Sequence, residues 1–135
     1  MEEITTTLLR QALDSTRDGL TIAEVRDNDH PLIYVNSAFE RLTGYSRLEV
    51  LGRDCRFLQG PETDRRTVDL LKAALIEGRP ACVILLNYRK DGSAFWNELS
   101  VAPIRGAALG GFRCHPQPSN LAAESIGRTD PCPWI

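Results

Sequence analysis

The most informative segment of the chain reads Gly52-Arg-Asp-Cys-Arg-Phe-Leu-Gln-Gly60. It places a single cysteine, Cys55, between arginine side chains and near the amide of Gln59. A thiol beside cations and a polar amide suits a bound anionic ligand close to a reactive sulfur. A lone cysteine can also be a small core residue, so these nine residues alone leave both interpretations open.

Composition describes an ordinary globular domain. The chain has 135 residues, 42% of them hydrophobic and 25% charged, with a net charge of -2. This is enough for one domain with a core, and the charge gives no basic field for nucleic acid. The longest apolar run, around Cys82 to Leu86, is too short to cross a bilayer, so no membrane partner is expected. The N-terminus lacks signal-peptide features, which predicts a cytoplasmic protein.

The cysteines predict neither a disulfide framework nor a metal site. They lie far apart, without the spacing of metal ligands. In a chain without a signal peptide, such cysteines are expected to be reduced thiols. The four are Cys55, Cys82, Cys114 and Cys132.

Sequence periodicity and capping residues predict short helices between strands. Asn36 is a good N-cap, Gly44 a good stop, and Ser46 with Glu49 forms a capping box. The predicted helices are Thr5–Thr16, Ser37–Thr43, a short one after Ser46, one turn at Cys55–Gln59, and Gly60–Glu77. The predicted strands are Leu20–Val25, Pro31–Val35, Cys82–Arg89 and Ala94–Ile104. This is an α+β layout with short helices packed on one face of an antiparallel sheet.

The last predicted hairpin contains Asn87 and Asn97 inside apolar strands, where asparagine is disfavoured. A two-residue Asp-Gly loop would place the two amides on opposite faces. A three-residue loop, Asp91-Gly92-Ser93, would pair position 87 with 97 on one face. Two amides in an apolar wall could bind the edge of a planar heterocycle. The alternative is that one or both face water.

Taken together, these segments resemble the light-oxygen-voltage (LOV) branch of the PAS family, and short bacterial members are most similar. The resemblance covers about Leu20 to Arg105. It is carried by these stretches: Pro31-Leu-Ile-Tyr-Val-Asn36, Leu42-Thr-Gly-Tyr-Ser46, Gly52 to Thr63, and Asn87-Tyr-Arg-Lys-Asp-Gly-Ser-Ala-Phe-Trp-Asn97. It implies a PAS-like sheet, nominally of five strands. The domain organisation is then a helical cap over 1–19, a core over 20–105 and an atypical tail over 106–135.

The resemblance implies flavin mononucleotide (FMN) as a non-covalently bound chromophore. It makes Cys55 the photoactive thiol, which would form a reversible bond to ring carbon 4a under blue light. Arg56 matches a phosphate-binding position, Gln59 a flavin-contacting amide, and Asn87 with Asn97 the pair on the pyrimidine edge. The matching pocket-wall positions are Thr21, Val68, Leu75, Leu85, Leu99 and Val101. Glu49 and Lys90 match a surface ion pair.

Three positions in the core depart from the family pattern. Asp54 stands where asparagine is usual, and its charge is expected to raise the pKa of the Cys55 thiol. Lys72 stands where many members have a second phosphate-contacting arginine, and lysine lacks the bidentate fork. His30 replaces a common asparagine and is expected to be a surface turn residue.

The chain after Arg105 is the largest departure. The family has a central final strand there, bearing a glutamine that senses the flavin. Here only Leu109 to His115 is expected to pair, and two glycines weaken that strand. Gln117 lies within one position of the sensor glutamine by counting, but prolines flank it. The tail is therefore expected to be irregular, which a divergent ending would explain. The alternative is that a partner chain or the Phe112 segment completes the sheet.

Three functions follow from this sequence. The first is a blue-light photoreceptor that signals through homodimer contacts or an unknown downstream protein. The second is a PAS-like ligand-binding or protein-interaction module that is not photoactive because its C-terminal strand is missing. The third, a cysteine-nucleophile enzyme, needs a general base near Cys55. Because the histidines, His30 and His115, are expected in a turn and in the tail, the protein is predicted not to be an enzyme.

Overall fold

The computed structural model describes residues 4–27 and 29–115. Its helices are α1 (Thr6–Asp14), α2 (Ser37–Thr43), α3 (Arg47–Val50) and α4 (Arg65–Glu77), with a 3-10 helix at Cys55–Leu58. Its strands are β1 (Gly19–Glu24), β2 (Leu32–Val35), β3 (Ala81–Tyr88), β4 (Ala94–Ile104) and β5 (Ala107–His115). The sheet is antiparallel, in the order β2-β1-β5-β4-β3. The predicted α+β class with a five-stranded sheet is confirmed.

Local capping sets the short helices as predicted. The Asn36 side chain accepts a hydrogen bond from the Phe39 amide at 3.0 Å, and α2 ends at Gly44 with φ 79°. Ser46 and Glu49 form both bonds of the capping box in front of α3. These caps satisfy amides that have no partner within their own helix. The bounds of these two short helices therefore follow from local sequence.

Helix α4 begins later than predicted. Residues 60–63 form a turn instead, in which the Thr63 amide donates to the Gly60 carbonyl at 3.1 Å. The Thr63 hydroxyl donates to the Leu86 carbonyl of β3 at 2.6 Å, which ties this turn to the sheet. Asp64 then caps the helix. A tertiary hydrogen bond, invisible to local pattern, thus overrides the predicted start at Gly60.

The β3–β4 register differs from the predicted one. Asn87 lies opposite Phe95 and Asn97 opposite Leu85, so the predicted 87–97 pairing is wrong. The hairpin closes through five residues, 89–93, with the Arg89 amide donating to the Ser93 carbonyl at 2.7 Å. Because 87, 95 and 97 are all odd, the two asparagines still share one face of the sheet.

Strand β5 corrects the expected irregular tail for its first part. Ile104 pairs with Ala107, so Arg105 and Gly106 form a two-residue turn with φ 33° and 79°. Positive φ at both central residues is typical of type I′ turns, whose twist matches that of antiparallel strands. β5 then pairs with β1 on one side and β4 on the other. The core therefore runs past Arg105 to His115; Gln117 and Cys132 lie outside the described residues.

The hydrophobic core lies between one sheet face and the helices. Its helical side includes Phe39, Val50 and Val68, and its sheet side includes Val83 and Phe112. The Phe39 and Phe112 rings meet edge to face at 5.3 Å. By contrast, α1 buries no residue, and Leu9 on its apolar side is 48% exposed.

Candidate functional site

A cavity of about 190 Å³ opens between the sheet and α4. Ten of the thirteen side chains predicted for the site line it. They are Thr21, Asp54, Cys55, Arg56, Gln59, Val68, Lys72, Leu75, Leu99 and Val101. The fold thus gathers residues from β1, the 3-10 helix, α4 and β4 around one space.

The inner wall of the cavity is apolar. Val68 and Leu75 project from α4 toward Leu99 and Val101 on β4. Thr21 on β1 is also buried, at 4% exposure. Such a slot between two apolar walls suits a flat, largely apolar molecule.

Strand β5 supplies a wall that the sequence analysis missed, formed by Ala108, Gly110 and Phe112. A side chain at position 110 would not fit, because an added Cβ would lie 2.5 Å from the Thr21 hydroxyl oxygen. The glycine interpreted as weakening the strand is therefore required where β1 and β5 approach closely. The two-residue turn Arg105-Gly106 was the sequence signal for this strand.

The wall formed by β5 carries no amide side chain between Ala107 and His115. The sensor glutamine expected from the resemblance is therefore not on the described part of this strand. Phe112 is paired with Leu99 of the neighbouring strand β4, and both side chains line the cavity. The wall on this side is thus apolar apart from Thr21 on the neighbouring strand.

Cys55 opens the 3-10 helix and is partly buried against the core. Burial raises the pKa of its thiol to about 12, with a further contribution from the Asp54 charge. Low-dielectric surroundings disfavour the thiolate, and a neighbouring carboxylate adds to that effect. The predicted effect of Asp54 on the Cys55 pKa is therefore confirmed, and the arginines beside Cys55 do not activate it as a thiolate.

Asp54 connects three parts of the site. Its Oδ1 accepts from the Arg56 amide at 2.9 Å, and its Oδ2 accepts from the His30 amide at 2.9 Å. Burial favours the neutral acid, but these bonds and the Arg56 guanidinium outweigh it and hold the pKa of Asp54 below its usual value. Asp54 is therefore an ionised N-cap that fastens the turn near His30 to the 3-10 helix.

The cavity mouth carries charges of both signs. Arg56 and Lys72 lie there, on the 3-10 helix and on α4, with Gln59 nearby. Asp27 and His30 complete the mouth, which the sequence analysis did not foresee. His30 also keeps the predicted turn role, because its Nδ1 accepts from the Arg26 amide at 3.2 Å. Anionic groups on a ligand would find cations at this end of the cavity.

Leu85, Asn87 and Asn97 are the three predicted site residues that do not line this cavity. The asparagines are 3% and 0% exposed, so the alternative that they face water is wrong. Asn97 Nδ2 donates to Asn87 Oδ1 at 2.9 Å, and Asn87 Nδ2 donates to the Leu58 carbonyl at 3.3 Å. The amides are buried beside the cavity, next to Leu99, and hold each other in place.

The surface ion pair between Lys90 and Glu49 is present. The pKa of Glu49 is lowered to about 2, first by the hydrogen bond from Lys90 and then by that from the Ser46 amide.

Cys55 and Cys114 are free thiols. Cys82 is disulfide-bonded, which corrects the expectation of four reduced cysteines.

The family model described as PAS domain matches residues 17–114. This span includes β5 as far as Cys114, as well as the Cys55 segment and the asparagine pair. The chain is a LOV domain of the PAS family. The match beyond Arg105 agrees with the structural finding that the final strand is present.

Relatives of this LOV domain include blue-light receptors. Phototropin-2 of Oryza sativa is 48% identical over 72% of the chain and 11% of its own length. The "Blue-light photoreceptor" of Listeria monocytogenes is 43% identical over 72% of the chain and 38% of its own length. The chain thus spans about a tenth to two fifths of these proteins.

Solved structures give the same family. A LOV domain from Erythrobacter litoralis EL346 blue-light activated histidine kinase is 42% identical, with TM-score 0.71, covering 74% of this chain and 97% of that one. A structure described as "Flavin Analogue Sheds Light on Light-Oxygen-Voltage Domain Mechanism" is 39% identical, with TM-score 0.75, covering 89% and 90%. Among the described residues of the present chain, no helix has the length and apolar character needed to cross a membrane.

Proposed function

We propose that this LOV domain is a blue-light sensor that binds FMN and uses Cys55 as its photoactive thiol. The observation that carries the proposal is the position of Cys55 on the wall of an apolar cavity whose mouth contains Arg56 and Lys72. Relatives named as blue-light photoreceptors support it, as does the neighbouring structure concerned with a flavin analogue.

The residues present fit a flavin nucleotide. Val68, Leu75 and Leu99 offer apolar surfaces for a flat ring, and Arg56 with Lys72 offers charge to a phosphate. The Asn87–Asn97 pair lies buried beside the ring space and could exchange its internal hydrogen bond for bonds to a ring edge. When bound, FMN supplies blue-light absorption and a ring carbon that bonds reversibly to the Cys55 sulfur.

The Cys55 thiol holds its own proton throughout the physiological range. With a pKa of about 12, it is neutral at neutral pH. A neutral thiol packs within an apolar wall at little cost, whereas a buried thiolate would need a cationic partner. The site therefore brings a sulfur and its proton together to the ligand.

We propose further that the domain is a sensor and not an enzyme. A cysteine nucleophile requires a base that takes the thiol proton. His30 lies on the same cavity wall, but its Nδ1 already accepts from the Arg26 amide. The raised pKa of Cys55 also opposes nucleophilic catalysis at neutral pH.

The output of the domain is proposed to be a change in homodimer contacts or in affinity for a downstream protein in the cytoplasm, without nucleic acid or membrane as partner. The alternative, a module that is not photoactive, was based on a missing C-terminal strand. β5 fills that central position, so this reason for the alternative no longer holds.

Absorption spectroscopy tests the proposal. The purified chain is expected to be yellow, to bleach under blue light and to recover in darkness. Cys55→Ala should remain yellow but lose the reversible bleaching, and Cys114→Ala, which removes an exposed free thiol, is the matched control. Because the thiol stays protonated below its pKa of about 12, the extent of bleaching should not change between about pH 6 and pH 9.

Two results would contradict the proposal. A colourless preparation that takes up no added flavin would rule out the chromophore. Reversible bleaching in Cys55→Ala equal to that of the unmodified chain would show that another group forms the bond.

A further inference from the structure

The two cations at the cavity mouth, Arg56 and Lys72, are accompanied by three carboxylates. Asp27 and Asp54 line the cavity together with Arg56 and Lys72. Asp29 lies beside them, with its Oδ1 3.8 Å from Arg56 Nη2. Two permanent cations thus face three carboxylates, so this end of the cavity carries no net positive charge.

Arg56, the residue placed to meet a phosphate, already has carboxylate partners. Its Nη2 donates to Asp54 Oδ2 at 3.1 Å, in addition to the longer contact with Asp29. A phosphate would have to share or displace these partners. Because paired charges attract a third ion more weakly than a lone cation does, the gain from binding a phosphate is reduced.

Asp54 is the carboxylate with the strongest effect on this mouth. Its side chain is 17% exposed, against 54% for Asp29, so solvent and salt screen its charge less. Two backbone amides and one guanidinium hold it in place. These bonds fix the Asp54 carboxylate beside Arg56.

Lys72 is the other cation, and it is less suited to selecting a phosphate. It is exposed on α4 and forms no ion pair with a residue that the structure describes. An exposed ammonium group is strongly hydrated and cannot make the two parallel hydrogen bonds of a guanidinium. Lys72 therefore adds modest attraction without fixing the phosphate in position.

We propose that the cavity mouth distinguishes only weakly between flavin mononucleotide and riboflavin, which lacks the phosphate, and that Asp54 determines this weak selectivity. The inference rests on the proposed flavin-binding function and specifies the class of ligand. The apolar wall and the buried amides recognise the ring, which the two ligands share. The phosphate, which only FMN carries, would lie at the cavity mouth, and the charges there contribute little net attraction.

Competition between the two ligands measures this selectivity directly. The purified full chain is equilibrated with a large equimolar excess of riboflavin and FMN and then separated from free ligand. The bound flavins are released by denaturation and quantified by chromatography. At equilibrium their ratio equals the ratio of the two affinities, which we expect to be within about threefold of one.

Two variants assign the effect to the carboxylates. Asp54→Asn should raise the bound ratio of FMN to riboflavin about five- to tenfold, because a neutral amide no longer opposes the phosphate. Asp91→Asn is the matched control, since it removes one negative charge in the hairpin loop, away from the cavity, and should leave the ratio unchanged. Circular dichroism checks that each variant is folded.

Asp29→Asn keeps the test decisive if Asp54→Asn does not fold, because Asp29 lies beside Arg56 without capping the 3-10 helix. It should raise the ratio by about twofold, in keeping with its greater exposure. A preference of the unmodified chain for FMN above about 30-fold would overturn the inference, as would a folded Asp54→Asn that matches Asp91→Asn. Retention of neither flavin would instead contradict the proposed function itself.

Discussion

At the scale of single residues, the buried amides of Asn87 and Asn97 are the most constrained polar groups beside the cavity. Asn97 donates to Asn87 at 2.9 Å and accepts from the Arg113 amide at 3.2 Å. Asn97 is on β4, so one bond connects β4 to Asn87 on β3 and the other connects it to Arg113 on β5. The pair therefore joins three strands of the sheet.

Asn97→Ala is expected to lower the free energy of unfolding by about 1–3 kcal/mol, because the Asn87 oxygen and the Arg113 amide lose a buried partner. Urea denaturation of the flavin-free chain measures this. Asn97→Asp is the matched variant, since it keeps an acceptor for Arg113 but loses the donor to Asn87. An unchanged unfolding free energy in Asn97→Ala would show that the pair serves the ligand alone.

Within the motif, the predicted effect of Asp54 on the pKa of the Cys55 thiol is confirmed, whereas the burial of that thiol was not foreseen. Adjacent arginines suggested an activated thiol, whereas burial and the neighbouring carboxylate keep it protonated. The Asp54 carboxylate accepts hydrogen bonds from the amides of His30 and Arg56 and from the Arg56 guanidinium. An ionised carboxylate therefore caps the 3-10 helix and adds a charge at the position where the resemblance expects asparagine.

At the scale of elements, the pairing of β1 with β5 depends on the absence of a side chain at Gly110. Thr21 lies directly opposite it, with the hydroxyl over the position that a Cβ would take. Overpacking at such a contact forces strands apart or side chains off their rotamers.

Gly110→Ala is expected to destabilise the fold by about 1–3 kcal/mol, because its Cβ would lie 2.5 Å from the Thr21 oxygen. Chemical denaturation measures the change. Thr21→Ala removes the hydroxyl oxygen. Adding Gly110→Ala to that variant should therefore lower the free energy of unfolding much less than it does in the unmodified chain. If Gly110→Ala lowers the free energy of unfolding equally with Thr21 present and with Thr21→Ala, the cost comes from strand propensity rather than from this contact.

Prediction from sequence succeeded for elements defined by their neighbours in the chain. The bounds of α2 and the capping box before α3 follow from Asn36, Gly44 and Ser46. The start of α4 was not predicted, because it depends on the hydrogen bond from the Thr63 hydroxyl to the Leu86 carbonyl. The register of β3 with β4 was not predicted either, because it depends on the five-residue loop between them. Both depend on groups that meet only after folding.

At the scale of the whole molecule, β5 holds the sheet together. It lies between the β1–β2 pair and the β3–β4 hairpin, and its Arg113 forms an ion pair with Asp18 before β1. Removing it would expose two long strand edges and open one wall of the cavity. The ten residues after Arg105 therefore determine whether the site exists.

A chain ending after Arg105 is expected to aggregate and to bind no flavin, because β1 and β4 would lose the strand that joins them. Size-exclusion chromatography with absorption at flavin wavelengths measures both, with the full chain purified in parallel. Monomeric, flavin-bound protein from the shortened chain would show that the remaining strands close the sheet without β5.

The sequence by itself determined the LOV family and the α+β class, and it predicted that Cys55 lies on the wall of a cavity. These follow from motif, capping and strand alternation, which act over a few residues. Only the tertiary structure decided that Ala107–His115 is the central strand, that the Cys55 thiol is buried and that Arg56 meets Asp54 and Asp29. The physical reason is that strand order, burial and charge pairing depend on residues far apart in sequence that become neighbours only in the folded chain.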